Sequence, residues 1–210
     1  MAALWPLLAF TTVGFALARP AGPPTARSVG PPATPLSTPD PVRVVVETDL
    51  GAFEFDVDVD RAPLTAANFL RYVDGGHYDG GAFFRTVHAE NQPDDSIRIA
   101  VVQGGRNPQA AADPFAPIPL ERTSETGILH TDGAVSMARG GPDTATHSFF
   151  ICIGDQPSLD FGGMRNPDGQ GFAAFGRVVA GMDLVRAIHE APYEAQQLTP
   201  PVGIVRVYRK

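Results

Sequence analysis

Val42-Arg43-Val44-Val45-Val46-Glu47-Thr48-Asp49-Leu50-Gly51-Ala52-Phe53-Glu54-Phe55-Asp56-Val57-Asp58-Val59 decides the fold class. Val42, Val44 and Val46 alternate with Arg43 and Glu47. Beyond the turn, Phe53, Phe55, Val57 and Val59 alternate with Glu54, Asp56, Asp58 and Asp60. Two period-two runs about a short Asp/Gly turn spell an antiparallel hairpin with one apolar and one wet face. Asp56, Asp58 and Asp60 begin like a calcium loop, yet no glycine follows at its sixth position and no glutamate at its twelfth. They read as the wet face of a strand, and no metal site is expected.

Toward the C-terminus the pattern changes to a helix. Pro63 suits a first turn, Ala66, Phe69, Leu70 and Val73 recur at helical spacing, and Gly75-Gly76 stops the run. Further strands are predicted at Ala82–Val87, Ile99–Gln103, Ala134–Met137, Phe149–Ile153, Phe172–Val178 and Val202–Tyr208, and a second helix at Met182–His189. Short strands between Gly/Pro loops, with a helix near each end, predict a mainly β fold: a closed barrel with helices over its mouths.

Toward the N-terminus the composition shifts. Residues 19–41 hold eight prolines from Pro20 onward, with Val29 and Leu36 the only sizeable apolar side chains. Such a segment buries too little surface to offset its ordering entropy and reads as a disordered linker. Residues 1–18 read as a cleavable signal peptide: Ala2 to Leu17 is uncharged and apolar, ending in the small-x-small pattern Ala16-Leu17-Ala18. Pro6 and Gly14 interrupt the run, and it falls short of the roughly 20 residues of a spanning helix, so no stable membrane insertion after cleavage is expected. The expected destination is periplasmic or extracellular, with residues 42–210 as the folded domain.

A formal net charge of −7 gives no electrostatic basis for binding a polyanion, so nucleic acid is not an expected partner. The single cysteine, Cys152, lies in an apolar run and reads as a small buried hydrophobe. There is no GxSxG elbow, HExxH or phosphate-binding P-loop. Gly169-Gln170-Gly171-Phe172-Ala173-Ala174 fits GxGxxA but precedes a strand, where a Gly-rich turn explains it. His147 and Ser148, as strand neighbours, are expected on opposite faces. His77, His88, His130 and His189 share no ligand spacing, and His189 suits a helix C-terminus.

The order of motifs from Phe83 to Gly176 adds a resemblance. Phe84-Arg85, Gln103-Gly104-Gly105, Ser136-Met137-Ala138-Arg139-Gly140-Gly141-Pro142-Asp143-Thr144, Ser148-Phe149-Phe150-Ile151-Cys152, Leu159-Asp160 and Ala174-Phe175-Gly176-Arg177-Val178 follow one another as in cyclophilins. The resemblance spans essentially all of 42–208. It implies an eight-stranded antiparallel barrel capped by two helices, peptidyl-prolyl cis-trans isomerase activity, no cofactor and proline-containing polypeptides as partners, with nothing requiring a partner chain beyond a monomer. Arg85 matches the catalytic arginine and Gln103 the glutamine that positions it. Phe150 matches the base of the proline pocket and Leu159 a wall. Ala138, Arg139 and Gly140 match the segment whose backbone holds the residues before proline. Val101 and Phe172 stand where the family has other pocket residues. The alternative is a cyclophilin-fold module or chaperone that binds proline peptides without turning them over.

The departures bear on the pocket. About ten extra residues, near 88–98, separate Arg85 from Gln103, and the loop 161–171 is longer than usual. The family's phenylalanine and methionine before the glutamine are Ala100 and Val101, thinning one wall, which Phe172 is positioned to refill. Ser148 and Arg139 replace a glutamine and an asparagine, and Ser158 replaces the tryptophan of cyclosporin-sensitive members. Cyclosporin is therefore expected to bind weakly; submicromolar affinity in a fluorescence or calorimetric titration would contradict that reading.

Overall fold

The structure, a computed structural model, describes residues 41–92, 96–107, 110 and 112–210. The signal-like segment 1–18 and all of the Pro-rich stretch except Pro41 lie outside the described residues.

The hairpin forms as spelled. β1 (Val42–Thr48) and β2 (Gly51–Val57) pair antiparallel, with Val44 opposite Phe55 and Val46 opposite Phe53. The second strand stops at Val57, short of Val59, because Asp58 turns the chain: its carboxylate accepts the Arg61 N–H and ion-pairs with that guanidinium at 2.6 Å. Asp56 is engaged by Arg43 at 2.7 Å. The helix α1 (Pro63–Asp74) opens on its proline, and the orphan N–H groups of Leu64 and Thr65 donate to the Glu121 carboxylate at 3.0 and 2.7 Å.

There follow β3 (Ala82–Val87), β4 (Val101–Gly105), the single turn α2 (Thr123–Thr126), β5 (Ala134–Met137), β6 (Phe149–Cys152), β7 (Ala173–Ala180), α3 (Met182–His189), β8 (Tyr193–Glu194) and β9 (Gln197–Arg209). Eight strands close in the order β1-β2-β7-β5-β6-β4-β3-β9 and back to β1, every pairing antiparallel. β8 is a two-residue arm on β9. The expected eight-stranded barrel is present, with three helices where two were expected; α2 is too short to show a helical period. Among the described residues, no helix is long and apolar enough to cross a membrane.

Period-two alternation fills the barrel with aromatic rings. Phe149 meets Phe69, Tyr78 and Phe83 edge-on at 5.6, 5.6 and 5.8 Å. Gly104 lies opposite both Phe83 and Phe149, and a Cβ there would come within 2.9 Å of the Phe83 ring. From the helices, Phe69 and Val73 of α1 and Val185 and Ile188 of α3 complete the same core.

β6 is buried along its whole length because both of its faces are covered. Phe149 and Ile151 belong to the interior. Phe150 and Cys152 join a second apolar cluster with Val87, Ile99, Val101, Ala134 and Leu159. Burial pushes the Cys152 thiol well above its ordinary value, in keeping with a buried hydrophobe. Phe149→Ala should destabilise the protein by about 3–5 kcal/mol. The exposed Val205→Ala should change stability by less than about 0.5 kcal/mol, both read by denaturant unfolding.

Candidate active site

The second cluster becomes a site because of an irregularity in β3. Along a regular strand Arg85 would share the inward face of Phe83. The register instead runs Phe83 opposite Gly104, then Arg85 opposite Gln103, so Phe84 is an extra, bulged residue. Against β9 the register also breaks here, Phe83 lying opposite Val202 and Arg85 opposite Gln197, with the extra residues on β9. One added residue exchanges the faces. It turns Arg85 and Val87 outward while Phe83 stays in the core.

Cross-strand pairing then builds a row. Arg85 on β3 lies opposite Gln103 on β4, Gln103 opposite Phe150 on β6, and Phe150 opposite Ser136 on β5. The adjacent row is Val87, Val101 and Cys152. Together these rows floor a pocket of about 210 Å³, lined by Arg85, Ile99, Val101, Gln103, Ala138, Arg139, Phe150, Leu159, Arg165, Asn166 and Phe172. Eight residues proposed from the sequence thus meet in one cavity. Gly140 does not: its N–H donates to Thr144 Oγ1 at 3.1 Å in the turn beyond β5. Ala138 lines the wall, but its N–H is bound to the Ser148 carbonyl at 2.8 Å. Ala100 is not among the lining residues, whereas Ile99 and Phe172 are. Phe172 packs edge-on against Phe150 at 5.3 Å.

Three nitrogens of Arg85 are held. Nη1 donates to Gln103 Oε1 at 3.0 Å, and Nε and Nη2 donate to Gln196 Oε1 at 2.9 and 2.6 Å. Gln196, in the tight turn between β8 and β9, is itself fixed by donating Nε2–H to the Asn91 carbonyl at 3.0 Å. No carboxylate pairs with Arg85 among the described residues, so neutral amides orient the guanidinium without neutralising it. Burial, and secondarily the charge of Arg165, hold its pKa below the ordinary value. Of five N–H groups, two remain, one on each Nη, for a bound group.

Beneath the floor is a buried polar chain. His130 places Nε2 2.9 Å from Ser136 Oγ and Nδ1 2.7 Å from Asp160 Oδ1, and its ring stacks on Phe150 at 5.9 Å. Asp160 also accepts the His130 N–H at 3.0 Å. Leu159, just before it, takes the Phe172 N–H on its carbonyl at 2.9 Å. That closeness requires Gly171, whose φ is +67° and whose Cβ would lie 2.6 Å from the Asp160 backbone.

The longer loop 161–171 supplies Arg165 and Asn166. Arg165 reaches across to the other lengthened segment, donating Nη1–H to the Ile97 carbonyl at 2.8 Å. Gln92 pins that segment at its neck, its amide bonding the carbonyls of His88 and Ile99 at 2.6 and 2.8 Å. Sequence reading missed Gln196, Ile99, Arg165 and Asn166. The unusual loop length was the available signal for the last two; nothing local marked Gln196. His147 and Ser148 also depart from expectation. They sit in a bend before β6 rather than on the strand, and Ser148 Oγ comes 3.3 Å from His147 Nδ1, a nitrogen already accepting the Arg106 N–H.

Arg139 is a strap. Its side chain is 1% exposed, ion-paired to Asp168 at 2.8 Å, bonded to the Gly171 carbonyl at 2.8 Å, and laid over the Phe172 ring at 5.0 Å. The Arg139 guanidinium holds Asp168 down at about 2, from the usual 3.8. A depressed carboxylate stabilises the fold above its unfolded pKa and stops doing so as pH falls through the folded one. Wild type should therefore exceed Asp168→Asn in thermal stability above pH 4 or so, the advantage vanishing as pH falls toward 2. Parallel melting profiles would disprove the strap.

Comparison with known proteins identifies the family. The profile of the family "Cyclophilin type peptidyl-prolyl cis-trans isomerase/CLD" matches residues 43–209. A peptidyl-prolyl cis-trans isomerase of Acinetobacter baylyi is 32% identical over 80% of this chain and 85% of its own. One of Streptomyces antibioticus is 34% identical over 69% and 81%. The crystal structure of a Cryptosporidium parvum cyclophilin type isomerase superposes with a TM-score of 0.63, at 18% identity, over 80% of this chain and 97% of that one. With the family profile covering the whole barrel, the chain belongs to the cyclophilin-type peptidyl-prolyl cis-trans isomerases and is an isomerase of that type.

Proposed function

We propose that this isomerase works outside the cytoplasm, as a monomer, accelerating X–Pro rotation in exported polypeptides and so assisting their folding. The uncharged, Leu/Ala/Phe-rich segment ending at Ala16-Leu17-Ala18, followed by a Pro-rich linker, supports export.

An X–Pro amide resists rotation because nitrogen shares its lone pair with the carbonyl, a barrier of about 18–20 kcal/mol. Twisting returns that lone pair to nitrogen. A donor aimed at it acts in the twisted state and not in the planar one, which is what lowers a barrier. Arg85 is suited to be that donor, since it lines the pocket, is half-buried, and keeps two N–H groups after Gln103 and Gln196 have fixed its plane. Phe150, Leu159, Val101 and Phe172 give the pyrrolidine ring an apolar seat that holds the proline side while the preceding carbonyl turns. No bond is made or broken, so no nucleophile or general base is needed. The observation that carries the reading is Arg85, held by neutral amides at the edge of that apolar seat.

Exchange NMR on short X–Pro peptides tests it. Arg85→Ala should lose about 10²–10³-fold in catalysed rate. Gln196→Ala should lose about ten- to a hundredfold, the value of a hydrogen bond to a charged group. With the guanidinium as the acting group, the rate should be flat from about pH 6 to about pH 9. Peptides that bind without accelerated exchange, or an Arg85→Ala variant as fast as wild type, would favour a binding module instead.

A further inference from the structure

His88, just beyond β3, and His189, the last residue of α3, are 101 residues apart in sequence and pack with ring centroids 3.7 Å apart and planes tilted by 36°. Both are buried. His88 Nε2 lies 2.9 Å from the His189 carbonyl, and His189 Nε2 lies 3.0 Å from the Val87 carbonyl. A carbonyl only accepts, so each Nε2 carries a hydrogen and each neutral ring is left with a bare Nδ1 lone pair. The Thr86 hydroxyl, donating to the same His189 carbonyl at 2.8 Å, reinforces that arrangement.

Both bare nitrogens converge on carboxylates. Glu190 Oε1 lies 3.2 Å from His189 Nδ1 and 3.9 Å from His88 Nδ1, and Glu90 Oε1 lies 3.8 Å from His88 Nδ1. Lone pairs facing carboxylate oxygens repel unless something positive lies between them. A dication among His88, His189 and Glu190, whose ligand atoms all lie within 4.8 Å of one another, would face both lone pairs and the carboxylate at once.

We propose that His88, His189 and Glu190, with Glu90 at the edge beside His88, form a binding site for a divalent transition metal of the zinc type. Two imidazole nitrogens and a carboxylate are donors that suit Zn²⁺, and Glu90 is the side chain available to fill the fourth position. Bonds of about 2.0–2.1 Å in a tetrahedron set ligand atoms about 3.3 Å apart. The His189–Glu190 contact is already there, and the His88 contacts at 3.9 and 3.8 Å close by roughly half an ångström when the glutamates swing in. The glutamates have that freedom, their side chains being 69% and 72% exposed while the histidines are fixed. Donation of each Nε2–H to a backbone carbonyl is the outer-shell arrangement that sets tautomer and ring angle in histidine metal sites. Tyr193, stacked on His88 at 4.9 Å, closes one side. A bound ion would fasten the 3-10 turn Ala89–Asn91 to the end of α3. The site lies apart from the pocket lining, and its role is structural.

The test uses tag-free protein stripped with a chelator. Calorimetry with Zn²⁺ should give one equivalent bound with micromolar or tighter affinity, and saturating Zn²⁺ should raise the melting temperature. Glu190→Gln and Glu90→Gln, both surface changes, should each weaken Zn²⁺ binding about 10–100-fold and abolish the thermal shift while leaving isomerase turnover unchanged. Long-range ¹⁵N NMR of the histidine rings should show the Nδ1 signals of two residues moving with Zn²⁺. No binding at about 100 μM Zn²⁺, binding insensitive to both substitutions, or movement of other histidine signals alone would each overturn the proposal.

Discussion

The site depends on one backbone fact, the extra residue at Phe84. Barrel strands present alternate residues to two environments, and a one-residue slip exchanges them. Here the slip falls between a residue the core needs and one the pocket needs. Phe83 packs against Phe53 and Phe149, and Arg85 emerges beside Gln103. Without the bulge, a guanidinium would be forced among aromatic rings, where an unpaired charge is costly to bury. The core and the pocket are therefore two readings of one strand. Gly104 belongs to the same design: its missing side chain makes room for Phe83, and that lets Gln103, beside it, face outward.

Much of this was legible in the sequence. Alternation located most strands because these barrel walls have one apolar face and one wetter one, as Phe53/Glu54 and Phe55/Asp56 show. It was blind where both faces are covered. Phe149-Phe150-Ile151-Cys152 gives no period, and only the resemblance separated Phe150 from its core neighbours. The bulge was equally invisible, because a register slip is a relation between strands. Gln196 eluded the reading for the same reason: its value lies in meeting Arg85 from 111 residues away.

Ala138–Gly140 shows how a matched motif is put to other use. Arg139 stands where the family has an asparagine, and its guanidinium ties down the lengthened loop through Asp168 and the Gly171 carbonyl. The substitution and the longer loop meet in these contacts. The loop in turn sets Arg165 and Asn166 at the pocket edge, so this rim is chemically unlike the pocket implied by resemblance alone: more basic, and lined by Ile99 rather than by Ala100.

The bond from Arg165 to the Ile97 carbonyl joins two segments that would otherwise each hang from the barrel by its own ends. With Gln92 bound at one neck and Arg139 strapping the other loop, the described parts of the rim are tied before a peptide arrives. The entropy of ordering it is lost once, during folding, rather than at every encounter. A catalyst that must release each polypeptide soon after turning a single bond gains from such a rim. Binding need not be strong to be well aimed, and a weakly held product leaves quickly.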